Sequence, residues 1–85
     1  MNQPSIHYTR HALARMEKRL LTREMVESVL AHPEKRMPDP VDPQLEHCWG
    51  KVPALANRTL RVIVSTESPR RVITAHLDRL ATKKP

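Results

Sequence analysis

The chain has no phenylalanine and, among 85 residues, one tryptophan, one tyrosine, one glycine and one cysteine. With Trp49 and Tyr8 as its only such rings, it must build an aliphatic core from Leu, Val, Ile, Met and Ala. Folds of the RRM or cold-shock type stack successive bases on several aromatic side chains, and two rings argue against that mode. A lone Cys48 forbids an intramolecular disulfide. No apolar run approaches the roughly 20 residues of a membrane span, and the N-terminus shows no signal-peptide pattern. These absences set the expectation of a cytoplasmic protein without membrane partners. Neither Cys-x-x-Cys nor His-Glu-x-x-His occurs, and the adjacent His47 and Cys48 cannot easily chelate one ion. No metal and no cofactor are expected.

A chain this short holds one modest core. The expected organisation is a single domain over residues 1–80 with a basic tail at 81–85. The net charge of +6 is unevenly placed. Residues 1–46 balance seven Lys/Arg against seven Asp/Glu. Residues 47–85 set eight Lys/Arg against Glu67 and Asp78 alone, so the whole excess lies there. That asymmetry favours a polyanionic partner, either nucleic acid or an acidic protein.

The segment from His7 to Arg19 predicts a helix opened by Thr9, whose hydroxyl can accept from a first-turn amide. At about 100° per residue, His11, Arg15 and Arg19 fall within an arc of roughly 80°. Ala12, Met16 and Leu20 form a separate apolar stripe suited to packing. Thr22 caps a second predicted helix carrying Met25, Val26, Val29 and Leu30, and Pro33 closes it. Three prolines between Pro38 and Pro43 mark a connection, preceded by a short edge strand over 34–37. A further strand over 46–52 carries Trp49, expected as a filler of the aliphatic core, and is interrupted by Gly50. Cys48 is expected to be a buried, inert thiol.

Leu60 to Ser65 and Val72 to Leu77 are β-branched runs that predict a hairpin turning at residues 66–69. Placing Ser65 opposite Arg70 and Arg61 opposite Thr74 puts Leu60, Val62, Val64, Ile73, Ala75 and Leu77 on one face. Arg61, Ile63, Val72, Thr74 and His76 then share the other. The fold class expected is α+β, with two N-terminal helices packed on a three- to four-stranded antiparallel sheet.

The pattern Tyr8-Thr9-x-His11-Ala12-x-x-Arg15-Met16-x-x-Arg19 resembles a family of small bacterial domains of unknown function that looks related to the BrnT and RelE toxins. The resemblance continues through Leu21-Thr22-x-Glu24-x-Val26, the Leu30-x-x-Pro33 helix end and the two hairpin strands. It implies the barnase–EndoU–colicin–RelE superfold and, by analogy, metal-independent RNA cleavage. It also implies RNA as partner, on the ribosome or off it, and an antitoxin as protein partner. Where relatives commonly end the last strand with an aromatic residue, this chain has His76.

Metal-free cleavage needs a base for the 2′-hydroxyl, an acid for the leaving oxygen and cations around the phosphate. Histidine suits the first two roles and arginine the third. The candidate catalytic set is therefore His11, Arg15, Arg61, Thr74 and His76, with Arg19, Arg58, Arg70 and Arg71 as phosphate-binding residues. The leading expectation is an RNA-binding, toxin-like ribonuclease. The rival is a non-catalytic interaction module whose basic surface binds an acidic protein. A DNA-binding helix-turn-helix fits poorly, because the two helices join too tightly around Leu20 and Leu21.

Overall fold

A computed structural model of the chain describes residues 6–80. Its elements run β1 (Ile6–Tyr8), α1 (Arg10–Lys18), α2 (Arg23–Ala31), β2 (Lys35–Pro38), β3 (Leu45–Val52), β4 (Arg58–Ser65) and β5 (Arg70–Leu77), with a 3-10 turn at Pro53–Leu55. The architecture is α+β: two helices lie against one five-stranded mixed sheet ordered β1-β5-β4-β3-β2. No helix among the described residues is long and apolar enough to cross a membrane. The expected tail at 81–85 lies outside the described residues.

Both threonine caps form as expected. Thr9 Oγ1 accepts from Ala12 N–H at 3.0 Å, and Thr22 Oγ1 accepts from Met25 N–H at 3.1 Å. Each satisfies one of the orphan amides at a helix start. The helices bury Ala12, Met16, Val26, Val29 and Leu30 against Cys48, Val52, Leu60, Val62, Val64, Val72 and Ala75. Gly50 does not interrupt β3. It sits where α2 crosses the strand, and a Cβ there would lie 3.1 Å from Val29 Cγ2.

The C-terminus of α1 is closed by two reversed bonds, Leu20 N–H to Glu17 O at 3.2 Å and Leu21 N–H to Met16 O at 2.8 Å. This is a Schellman cap, and Met16 and Leu21 supply its buried apolar contact. The left-handed position, normally glycine, is held by Leu20 at φ 58°. Leu20 is 81% exposed, so its side chain offsets little of that strain and leaves the stripe assigned from the sequence. Leu20→Gly is therefore expected to raise stability by about 0.5–1 kcal/mol, seen as a higher urea midpoint with an unchanged slope.

Two expectations are corrected. The sheet has five strands, not three or four, and is not wholly antiparallel, because β1 pairs in parallel with Arg70–Val72 of β5. Three residues abutting a helix cap give no alternation long enough to read as a strand. Tyr8 anchors β1 by donating to Glu27 Oε2 at 2.7 Å, under the Arg23 guanidinium. Burial and the Glu27 carboxylate push its phenol well above the usual range.

The hairpin turns at 66–69 as expected, but its register differs. Arg61 faces His76 and Ile63 faces Thr74; Val64 then faces Val72, leaving Ile73 as a bulge. Ser65 explains the shift: its hydroxyl accepts from Arg71 N–H at 2.8 Å, while its carbonyl takes Arg70 Nε–H at 3.3 Å. Side chains hold the turn where a ladder pair was expected. The bulge reverses the alternation, so Val72 enters the core in place of Ile73.

Candidate nucleic-acid interface

The helices cover one face of the sheet and leave the other open. On that open face, ladder pairing sets His47 and Trp49 of β3 beside Ile63 and Arg61 of β4, and these beside Thr74 and His76 of β5. A cation on α1 could reach this face only around an edge. β1 stops at Tyr8, and past it the rim of β5 is finished by backbone and side-chain donors flanking α1. Thr9 donates its N–H to Val72 O at 3.2 Å and its hydroxyl to Ile73 O at 3.3 Å. Arg19 then donates Nη1–H to Ala75 O at 2.9 Å. The last guanidinium of the helical edge is thereby fixed at the rim beside His76.

Arg19, Arg58, His76, Leu77 and Arg79 line one open cleft of about 320 Å³. Arg58 begins β4, His76 and Leu77 end β5, and Arg79 follows. The one carboxylate in this stretch, Asp78, does not line the cleft, although its charge acts on His76 against the arginines. Asp78 Oδ2 accepts from Trp49 Nε1 at 2.9 Å and lies 3.8 Å from Arg61 Nη1. The cleft is lined by three arginines, one imidazole and Leu77, with no acid. Burial holds the His76 imidazolium below its ordinary range, and the Arg61 and Arg19 charges press it further down. A neutral imidazole at pH 7 can accept a proton.

Of the nine residues picked from the sequence, Arg19, Arg58 and His76 line this cleft, and Arg61 is His76's cross-strand neighbour. Thr74 is half-buried on the same sheet face, opposite Ile63. His11 and Arg15 are exposed on α1 in the turns leading to Arg19 and do not line the cleft. Arg70 and Arg71 begin β5, about 20 Å along the strand from His76. Arg70 is bound to Glu46 Oε2 at 2.6 Å, while Arg71 is exposed beside a depression bordered by Gln44, Glu67 and Pro69.

Sequence reasoning missed a polar network next to the cleft. His47 is buried; its Nε2 lies 2.7 Å from Asp39 Oδ1 and its Nδ1 accepts from Arg61 Nε at 3.0 Å. The His47 hydrogen bond and the Val41 and Asp42 amides pull the Asp39 carboxyl down to about 2. Trp49, expected in the core, belongs to this network on the open face, with Lys35 Nζ 5.0 Å and Arg61 Cζ 5.1 Å from its ring centre. The alternation of His47 and Trp49 put them on one face, but only the β3–β4 register shows that the face is Arg61's. Cys48, pointing the other way, is fully buried, and burial raises its thiol pKa. Among the described residues no group of three or more His, Cys, Asp or Glu side chains gathers to hold a metal.

The chain belongs to the family described as Domain of unknown function (DUF4258), which it matches over residues 8–76. No curated protein and no solved structure matches it.

Proposed function

We propose that this domain binds RNA at the Arg19–Arg58–His76–Arg79 cleft and cleaves it without a metal, in the manner of a toxin-type ribonuclease. The observation that carries the reading is that three arginines and one histidine line a single cleft, with no carboxylate lining it. Guanidinium forks match phosphate oxygens, and a neutral histidine beside them suits general base catalysis. In this reading His76 takes the 2′-hydroxyl proton as that oxygen attacks phosphorus. The bond to the 5′-oxygen breaks, water protonates the leaving oxygen, and a 2′,3′-cyclic phosphate remains. The arginines balance the charge that builds on the phosphate, Arg61 from the sheet and Thr74 as a hydroxyl donor beside it.

His11 and Arg15 extend the basic surface along α1, where the rest of the RNA strand would run. The architecture is then of the RelE type, with ribosomal RNA complexes and an acidic antitoxin as natural partners. Salt tests the RNA reading. Single-strand affinity should fall log-linearly with salt, with a slope near −0.7 for each phosphate contacted. Arg58→Ala and Arg79→Ala should each flatten that slope by about one contact. RNA affinity indifferent to salt, or to both substitutions, would transfer the basic surface to an acidic protein partner.

A further inference from the structure

Arg61 projects from the middle of β4, where a free arginine side chain would sample many rotamers. Three partners hold it: His47 Nδ1 at Nε, Asp78 at a terminal nitrogen and the Trp49 ring at Cζ. An arginine does not give up its proton, so His47 Nδ1 must be the acceptor. The ring proton of a neutral His47 then sits on Nε2 and is donated to Asp39. Both nitrogens are committed, so His47 is not available as a base. Asp39 is itself held, because its Oδ2 accepts from Val41 N–H at 3.0 Å and Asp42 N–H at 2.8 Å. The proline-rich connection thus aims a carboxylate at a histidine, the histidine aims an acceptor at Arg61, and Arg61 stands opposite His76.

We propose that Asp39 and His47 are positioning residues that hold Arg61 against His76, so that a phosphate entering the cleft meets a preformed fourth guanidinium. The proposal rests on the RNA reading of the cleft and assigns no contact with substrate to either residue. Its physical basis is that a side chain fixed before binding does not lose its freedom on binding. This chain of polar contacts lies on the face of the sheet opposite the helices. A tautomer set by a carboxylate is a familiar way to aim the far nitrogen of an imidazole.

The test uses the full chain labelled with ¹⁵N, and inorganic pyrophosphate as the probe. The wild-type spectrum should show His47 neutral with its proton on Nε2, and a protected Arg61 Nε–H coupled across the hydrogen bond to Nδ1. In His47→Leu and in Asp39→Ala, the His76 titration should move to higher pH as Arg61 loses its fixed place. Pyrophosphate affinity should weaken about 5- to 10-fold, in line with the cost of ordering a freed arginine side chain on binding. Asp39→Asn keeps one acceptor oxygen where Asp39 uses two, so its affinity should fall between those of Asp39→Ala and wild type. In an Arg61→Gln background His47→Leu should cost almost nothing further, because the two act through one group. A His47 proton on Nδ1 would overturn the proposal. So would folded Asp39→Ala protein that matches wild type in both His76 titration and pyrophosphate affinity; this variant also serves if His47→Leu does not fold. A wild-type protein that binds neither pyrophosphate nor RNA would sink the RNA reading instead, while the His76 titration still decides the positioning role.

Discussion

His76→Ala is expected to lower RNA cleavage in excess EDTA by about 10²- to 10⁴-fold, the usual contribution of a positioned general base. The measurement is cleavage of a short RNA oligonucleotide, with circular dichroism confirming the fold. His76 is half-buried at the end of β5, so the substitution leaves the sheet's core layer intact. The pH profile gives an independent check. Burial and the neighbouring Arg61 and Arg19 charges lower the His76 pKa from 6.5. The active neutral form is therefore reached at lower pH than for a free histidine. The rate should climb through a midpoint below 6.5 and level off above it. Arg61→Gln removes one repelling charge, so the midpoint should move upward. His11→Ala, exposed on α1 and outside the cleft, should reduce cleavage far less. If His11→Ala is the more damaging change, the reaction centre lies on the helix rather than at the end of β5.

Local signals carried much of the fold. Thr9 and Thr22 announced both helix starts because a cap needs only a hydroxyl and the next few amides. The alternation of Leu60, Val62 and Val64 announced the buried face of β4 for the same reason. What could not be read depended on distant partners. β1 exists because three residues find an open edge on β5, and the bulge at Ile73 exists because Ser65 and Arg70 tie the turn with side chains. The site divides in the same way. Arg19, Arg61 and His76 were legible as cations and an imidazole away from the core, but the reach of Arg19 to Ala75 O at the rim of β5 was not. Asp39, His47, Trp49 and Asp78 come from a loop, a strand and a strand end. Nothing in their spacing foretells that His47, Trp49 and Asp78 share Arg61, or that Asp39 holds His47. Arg79 escaped notice because a cation just past a strand looks like ordinary surface.

Arg70→Met is expected to cost about 2–3 kcal/mol, although Arg70 reads in the sequence as one of a pair of RNA-binding cations. Glu46 is 8% exposed at the edge of the core, on the same side of β3 as Cys48. Arg70 Nη2 meets it at 2.6 Å, and Arg36 meets it through Nε and Nη2, both at 3.0 Å. Breaking a fully buried ion pair costs about 3–5 kcal/mol because one charge is left uncompensated. The expected loss is smaller here, since Arg36 stays on Glu46 and Arg70 retains 23% exposure. Arg36 is a poor substitute alone, because 59% of its side chain faces water that screens the pair. For a domain of this size the loss corresponds to a melting temperature lower by about 10–20 °C. Exposed Arg71→Ala should stay within about 0.5 kcal/mol of wild type. Replacing both charges, as in Glu46→Leu with Arg70→Met, should recover part of the loss, because no carboxylate is then stranded. RNA affinity measured below the transition should be the same for Arg70→Met as for wild type. An Arg70→Met protein that melts like wild type but has lost RNA affinity would return Arg70 to the nucleic-acid surface and move that surface to the turn end of β5.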